Sequence, residues 1–121
     1  MCDIEFAEKE ADLKELFYEH KKLLTKLMEL IIKDNNERYL ELLILEVALD
    51  SCNKYYITTS SNTFKVYLKC CKNLFMNMKD DPHIQFRLEE NQYYELLILG
   101  SKIEEIYFDD SWMYDYGFQN N

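Results

Sequence analysis

The side chains in this 121-residue chain that could do chemistry are few and widely spaced. Its four cysteines are Cys2, Cys52, Cys70 and Cys71, and its two histidines are His20 and His83. Adjacent cysteines suit neither a C-x2-C zinc arm nor a relaxed disulfide. On a helix they diverge by about 100°, which puts one of Cys70 and Cys71 in the core and the other at its edge. Neither histidine has a His or Glu partner at ligand spacing on its own helix, so neither a metal nor any other cofactor is expected. The chain has no Gly-rich phosphate loop, no nucleophile elbow and no HExxH. Carboxylates are plentiful, but nothing marks two of them as a pair, and Asp80-Asp81 before Pro82 reads as a helix stop and cap. No catalytic residue can be named, and an enzyme is not expected.

Recognition of another macromolecule remains. The formal net charge is −9, which disfavours direct nucleic-acid binding because no overall basic field can displace counterions. A partner protein with a basic surface fits better. The charge is uneven. Residues 61–79 carry Lys65, Lys69, Lys72 and Lys79 and no acid, while residues 80–121 carry ten acids against Arg87 and Lys102. The tail FDDSWMYDYGFQNN sets Asp109, Asp110 and Asp115 among Trp112, Tyr114 and Tyr116. Aromatic anchors beside acids are what a surface that grips a basic partner needs, so these six residues are the predicted partner-binding site. A final short helix packed on the domain is the competing reading of the same aromatics.

The elements that would position such a surface read as helices. Two glycines and one proline are too few for a turn-rich β architecture, and 48% apolar content supports a folded globule. Leu13, Leu16, Phe17, His20, Leu23, Leu24, Leu27, Met28, Ile31 and Ile32 recur at steps of three and four, which predicts one helix over 13–32 with lysines and glutamates outside. Asp3 could cap an extension from residue 4. A 30-residue helix would be about 45 Å long, against about 35 Å for a domain of this size. The helix therefore either breaks near Asp12 or projects at residues 1–11 towards a partner or a second copy, the latter being preferred.

Asn35 or Asn36 could cap a second helix from Glu37 to about Cys52. Its apolar residues lie on nearly every side, which predicts a central position. NKYYITTSSNT, residues 53–63, is a loop or the first strand of a hairpin. A third helix is expected over 62–79, capped by Ser61 or Asn62. HIQFRL alternates like a strand although Asp81-Pro82 suits a helix start. QYYELLILGSKIEEIYF has a helical stripe that Gly100-Ser101 could break into a turn. The pentapeptide Glu-Leu-Leu-Ile-Leu occurs twice, at 41–45 and at 95–99. No apolar run reaches the ~18–20 residues of a transmembrane helix, and MCDIEFAEKEAD does not resemble a signal peptide. A cytoplasmic protein with reduced thiols and no membrane association is the expectation.

The segment IEEIYFDDSWMYDYG, Ile103 to Gly117, resembles the C-terminal helix of a small poxvirus Bcl-2-like inhibitor of apoptosis and innate signalling. The likeness is strongest at Tyr107-Phe108-Asp109-Asp110 and Tyr116-Gly117 and covers about an eighth of the chain. The Gly-Arg signature of that family's central helix is absent. The resemblance implies an all-α fold with a groove for an amphipathic helix.

Together these readings predict an all-α, single-domain bundle of four or five helices over 1–121, with 119–121 frayed. The alternative is α+β, two N-terminal helices packed on an antiparallel β-meander. The expected function is non-enzymatic: an acidic protein that inhibits a partner by occluding a basic surface, as immunity proteins, antitoxins and phage or viral inhibitors do. The alternatives are an oligomerisation module or homodimer built on the 13–32 helix and a Bcl-2-like inhibitor.

Overall fold

The long N-terminal stripe forms two helices, not one. In a computed structural model that describes residues 3–34, 37–53 and 60–108, α1 spans Asp3–Glu19 and α2 spans Lys21–Lys33. His20 stands between them at φ −110° and ψ 25°. Its N–H is shared by the carbonyls of Leu16 and Phe17, both at 3.2 Å, while its own carbonyl accepts from Leu24 at 3.0 Å. One residue off helical geometry redirects the axis and removes the length conflict, since α1 and α2 are roughly 26 and 20 Å long. The break lies at His20 rather than near Asp12. Residues 7–11 do not stand clear of the domain: Glu10 is buried, and Ala7 and Ala11 share a depression with Cys52.

The stripe itself is core. Leu13, Phe17, Leu24 and Leu27 are 0% exposed, and Leu16, Leu23 and Ile31 are buried with them. Leu30 joins them and Ile32 is left outside. Burial of each such side chain contributes about 1.5–3 kcal/mol. These residues are consumed inside one chain and offer nothing to a second copy.

Helix α3 spans Tyr39–Ser51, and Arg38 rather than an asparagine occupies its N-cap without a side-chain cap bond. Asn35, Asn36 and residues 54–59, with their loop or strand alternatives, lie outside the described residues. Helix α4 spans Ser61–Met78. Ser60 caps it, one residue ahead of the expected position, its Oγ accepting from the Thr63 N–H at 3.1 Å. Phe64, Leu68, Cys71, Leu74, Phe75 and Met78 form its buried face, with Cys71 fully inside and Cys70 half-buried at the edge.

The alternation of HIQFRL does not make a strand. Asp81 caps a short α5, Pro82–Gln85, by accepting from the His83 N–H at 2.9 Å, with Pro82 in the first turn. Ile84 plugs the core at 0% exposure, while Phe86 stands 82% exposed in the turn that follows. Helix α6 runs unbroken over Glu90–Phe108. Gly100 lies buried within it, 3.7 Å from Phe75 by the position its missing Cβ would take, so it marks close packing of α6 on α4 and not a turn.

Among the described residues the fold is therefore all-α, with six helices and no strand, and the β-meander alternative does not hold. Two antiparallel pairs, α2 with α3 and α4 with α6, close around α1, which touches all four. Tyr67 ties α4 to α3 by donating its hydroxyl to the Ile44 carbonyl at 2.9 Å. Tyr93 ties α6 to the end of α4 through the Lys79 carbonyl at 3.0 Å. No helix among the described residues is long and apolar enough to cross a membrane.

Candidate functional site

The six residues predicted to bind a partner, Asp109, Asp110, Trp112, Tyr114, Asp115 and Tyr116, lie outside the described residues. What is described is the end of α6 that leads to them. Tyr107 and Phe108 meet edge to face at 4.9 Å, and the Lys72 ammonium lies 5.0 and 5.4 Å from the two ring centroids. Part of the basic α4 segment is thus used inside the chain, to hold the last turn of α6 by cation–π attraction.

The polar side chains with chemical potential hold the helices together. Arg38 donates to Glu41, to Asp34 at 2.8 Å and to Asp81 at 2.8 Å. This joins the end of α2, the start of α3 and the cap of α5. Glu41 above all, then Asp34 and Asp81, hold the guanidinium well above its ordinary pKa against the opposing effect of burial. His83 adds a contact to the Leu30 carbonyl at 3.2 Å and stands 3.5 Å from Asp34. At the other end of α2, His20 Nδ1 lies 2.7 Å from Glu95 on α6. Both histidines therefore pin α2, one at each end. Burial pushes the Cys71 and Tyr67 side chains far above their usual range, and it raises Cys52 against the pull of Lys21 and Lys14. Such thiols stay protonated and unreactive near neutral pH. Among the described residues no group of three or more His, Cys, Asp or Glu side chains could hold a metal.

The outer face of α3 is different in kind. Tyr39 is 74% exposed, Leu40 62% and Leu43 55%, while Ile44, Leu45 and Ala48 point inward. Leu40, Leu43 and Val47 stand at i, i+3 and i+7, a stripe suited to a partner and not to water. The charged residues of α3 are Glu41, Glu46 and Asp50, all acidic. On the α2 side, Met28, Leu43 and Val47 floor an open depression of about 580 Å³ with Glu46 and Asp50 on its rim. On the α4 side, Leu40, Ile44, Cys70 and Leu74 line a narrower cleft of about 150 Å³ whose polar members are Glu41, Asn73 and Asn77.

This surface is absent from the sequence reading, which placed α3 at the centre because apolar residues surround it. The signal was ambiguous: an all-round apolar helix is either enclosed or leaves apolar surface outside, and spacing alone does not choose between the two. The Ile103–Gly117 segment that resembles the Bcl-2-like inhibitors starts in the last turns of α6 and continues outside the described residues. No protein-family model, curated protein or solved structure matches this chain.

Proposed function

We propose that this chain is a non-enzymatic binding protein that inhibits a partner by covering a basic surface, and that the outer face of α3 makes the contact. The observation that carries the reading is the exposure of Tyr39, Leu40 and Leu43 on a helix whose charges are all acidic. Large apolar side chains in adjacent positions, edged by one sign of charge, supply the anchors and the steering that a docking surface needs. A net charge of −9 extends the attraction beyond the contact itself. The aromatic–acidic segment from Asp109 to Tyr116 is a second candidate for the contact, on its composition. An amphipathic helix is one form of partner segment that would lie along such a face, as the Bcl-2-like resemblance implies.

The test is a quantitative capture from host lysate with three proteins: the unaltered chain, Leu43→Asp, and Asp109→Lys/Asp110→Lys/Asp115→Lys. A partner kept by the first, lost at least tenfold by Leu43→Asp and released as salt rises supports the α3 face. Retention by Leu43→Asp with loss in the triple variant moves the contact to the tail. A partner indifferent to both, or a catalytic turnover found in the purified chain, overturns the reading.

A further inference from the structure

We infer that the lysine side of α4 is a docking site for the chain's own residues 109–116, which lie outside the described residues. The inference goes beyond the α3 face and does not depend on it. Helix α4 contains no acidic residue, whereas α1, α2, α3 and α6 all do. Its Lys65, Lys69 and Lys72 stand at i, i+4 and i+7, on one side of the helix, where like charges repel one another. Lys69 is exposed, and exposed Val66 lies one turn from it. Among the described residues no carboxylate pairs with Lys69 or Lys72. Of the acids near the end of α6, Glu104 makes no ion pair with either lysine, and Glu105 turns to the α1 side, where it lines a depression with Asp12, Glu15 and Glu19.

The direction of α6 brings the segment to this stripe. Tyr93 meets the Lys79 carbonyl, Gly100 meets Phe75, and Tyr107 and Phe108 meet Lys72, so α6 runs antiparallel to α4 and ends beside its middle. A chain continuing past Phe108 in the same direction passes Lys69 and then Lys65, about 4.5 and 10.5 Å beyond Lys72 along the helix axis. Residues 109–116 measure about 12 Å as a helix and about 28 Å extended, enough in either form to cover the stripe. They offer Asp109, Asp110 and Asp115 with no base, and Trp112, Tyr114 and Tyr116 among them. Three acids thus meet three lysines, and the rings find exposed apolar surface at Val66 and Phe108. Lys72 over two α6 rings already makes the kind of contact that the rest of the stripe would repeat. Because the segment is joined to α6, its local concentration at α4 is on the order of millimolar, so surface ion pairs too weak to hold a separate peptide suffice.

The chain's one tryptophan, Trp112, lies in the segment and reports its surroundings. In the full chain Trp112, excited selectively, is expected to emit at a shorter wavelength than a solvated tryptophan and to resist quenching by acrylamide. Lys69→Glu/Lys72→Glu and Asp109→Lys/Asp110→Lys are each expected to raise that quenching about twofold, the scale of losing weak surface ion pairs. Lys69→Glu alone, at an exposed position away from the α6 rings, is expected to move it in the same direction. A chain carrying all four reversals is expected to return to the unaltered value. That rescue separates ion pairing from the lost contact of Lys72 with the α6 rings, which the fourfold variant lacks too. Circular dichroism identical to the unaltered chain shows that the variants are folded. Solvated emission in the unaltered chain, protection that ignores the lysine reversals, or a fourfold variant without rescue would overturn the inference. So would protection that grows with protein concentration, which would put the segment of a second copy on the stripe.

Discussion

Helices α2 and α3 are neighbours of equal length, yet they treat their apolar residues in opposite ways. In α2 the residues Leu23, Leu24, Leu27, Leu30 and Ile31 are buried, Ile32 is its one exposed large apolar side chain, and the outer side is mostly lysine. In α3 the buried set is only Ile44, Leu45, Ala48 and Ser51, and larger apolar side chains remain in solvent. The first pattern is what folding requires of a helix on a core. The second exceeds it: Leu40 and Leu43 add nothing to the core that would explain their presence. That excess of exposed apolar area is what the proposed docking role of α3 rests on.

The sharpest way to break that comparison is the same substitution in each helix. Leu27→Asp places an unpaired carboxylate at a position with 0% exposure and is expected to cost more than about 4 kcal/mol, leaving the domain unfolded. Leu43→Asp is expected to change stability by less than about 0.5 kcal/mol in urea unfolding. Equal losses would show that α3 is covered after all, and the docking surface would go with it.

A smaller effect is expected where the two helices join. Arg38→Ala removes the cation that Asp34, Glu41 and Asp81 share and should cost about 2 kcal/mol in the same measurement. It also loosens the hairpin, so partner capture should fall with it. Capture that persists unchanged would separate the α3 face from the geometry that Arg38 sets.

Tyr67 tests how α3 is held from the other side. Tyr67→Phe removes the bond to the Ile44 carbonyl and should cost about 1 kcal/mol. The same residue gives a pH dependence. Tyr67 and Cys71 have folded pKa values raised above their ordinary 10.0 and 9.0, so above those values the unfolded chain ionises first. Their contribution is whole below about pH 9 and is lost as pH rises past it. Tyr67→Phe should make the alkaline limb of a thermal-unfolding profile shallower; an unchanged limb would mean that the hydroxyl is reached by water. The smallest effect calibrates the others. Gly100→Ala meets only ordinary van der Waals contact at Phe75, and relief of the glycine's helix cost should stabilise α6 by about 0.5–1 kcal/mol.

Much of the fold was legible because periodicity and capping are local. The helical stretches over 13–32, 37–52 and 62–79 follow from apolar spacing, which leaves 82–89 open between a helix start at Asp81-Pro82 and a strand. Length against domain size allowed a break to be foreseen but not its place: at the break His20 meets Glu95, 75 positions away, a contact that spacing along the chain does not carry. The α3 surface was missed for a related reason: apolar spacing says that a side chain avoids water when it can, and only the neighbours decide whether it can.

The repeated pentapeptide shows where the division falls. In both copies Glu-Leu-Leu-Ile-Leu is helical, its last leucine, Leu45 or Leu99, is 0% exposed, and its glutamate meets a basic side chain, Arg38 or His20. Yet Ile44 is 5% exposed and Ile98 49%. Sequence by itself determined that both segments are apolar on most sides and predicted a helix for the first, while Gly100-Ser101 left the second open between a helix and a turn. Which face went inward was decided by tertiary structure, because α3 lies between α2 and α4 while α6 lies between α1 and α4, and burial belongs to the neighbours a residue meets.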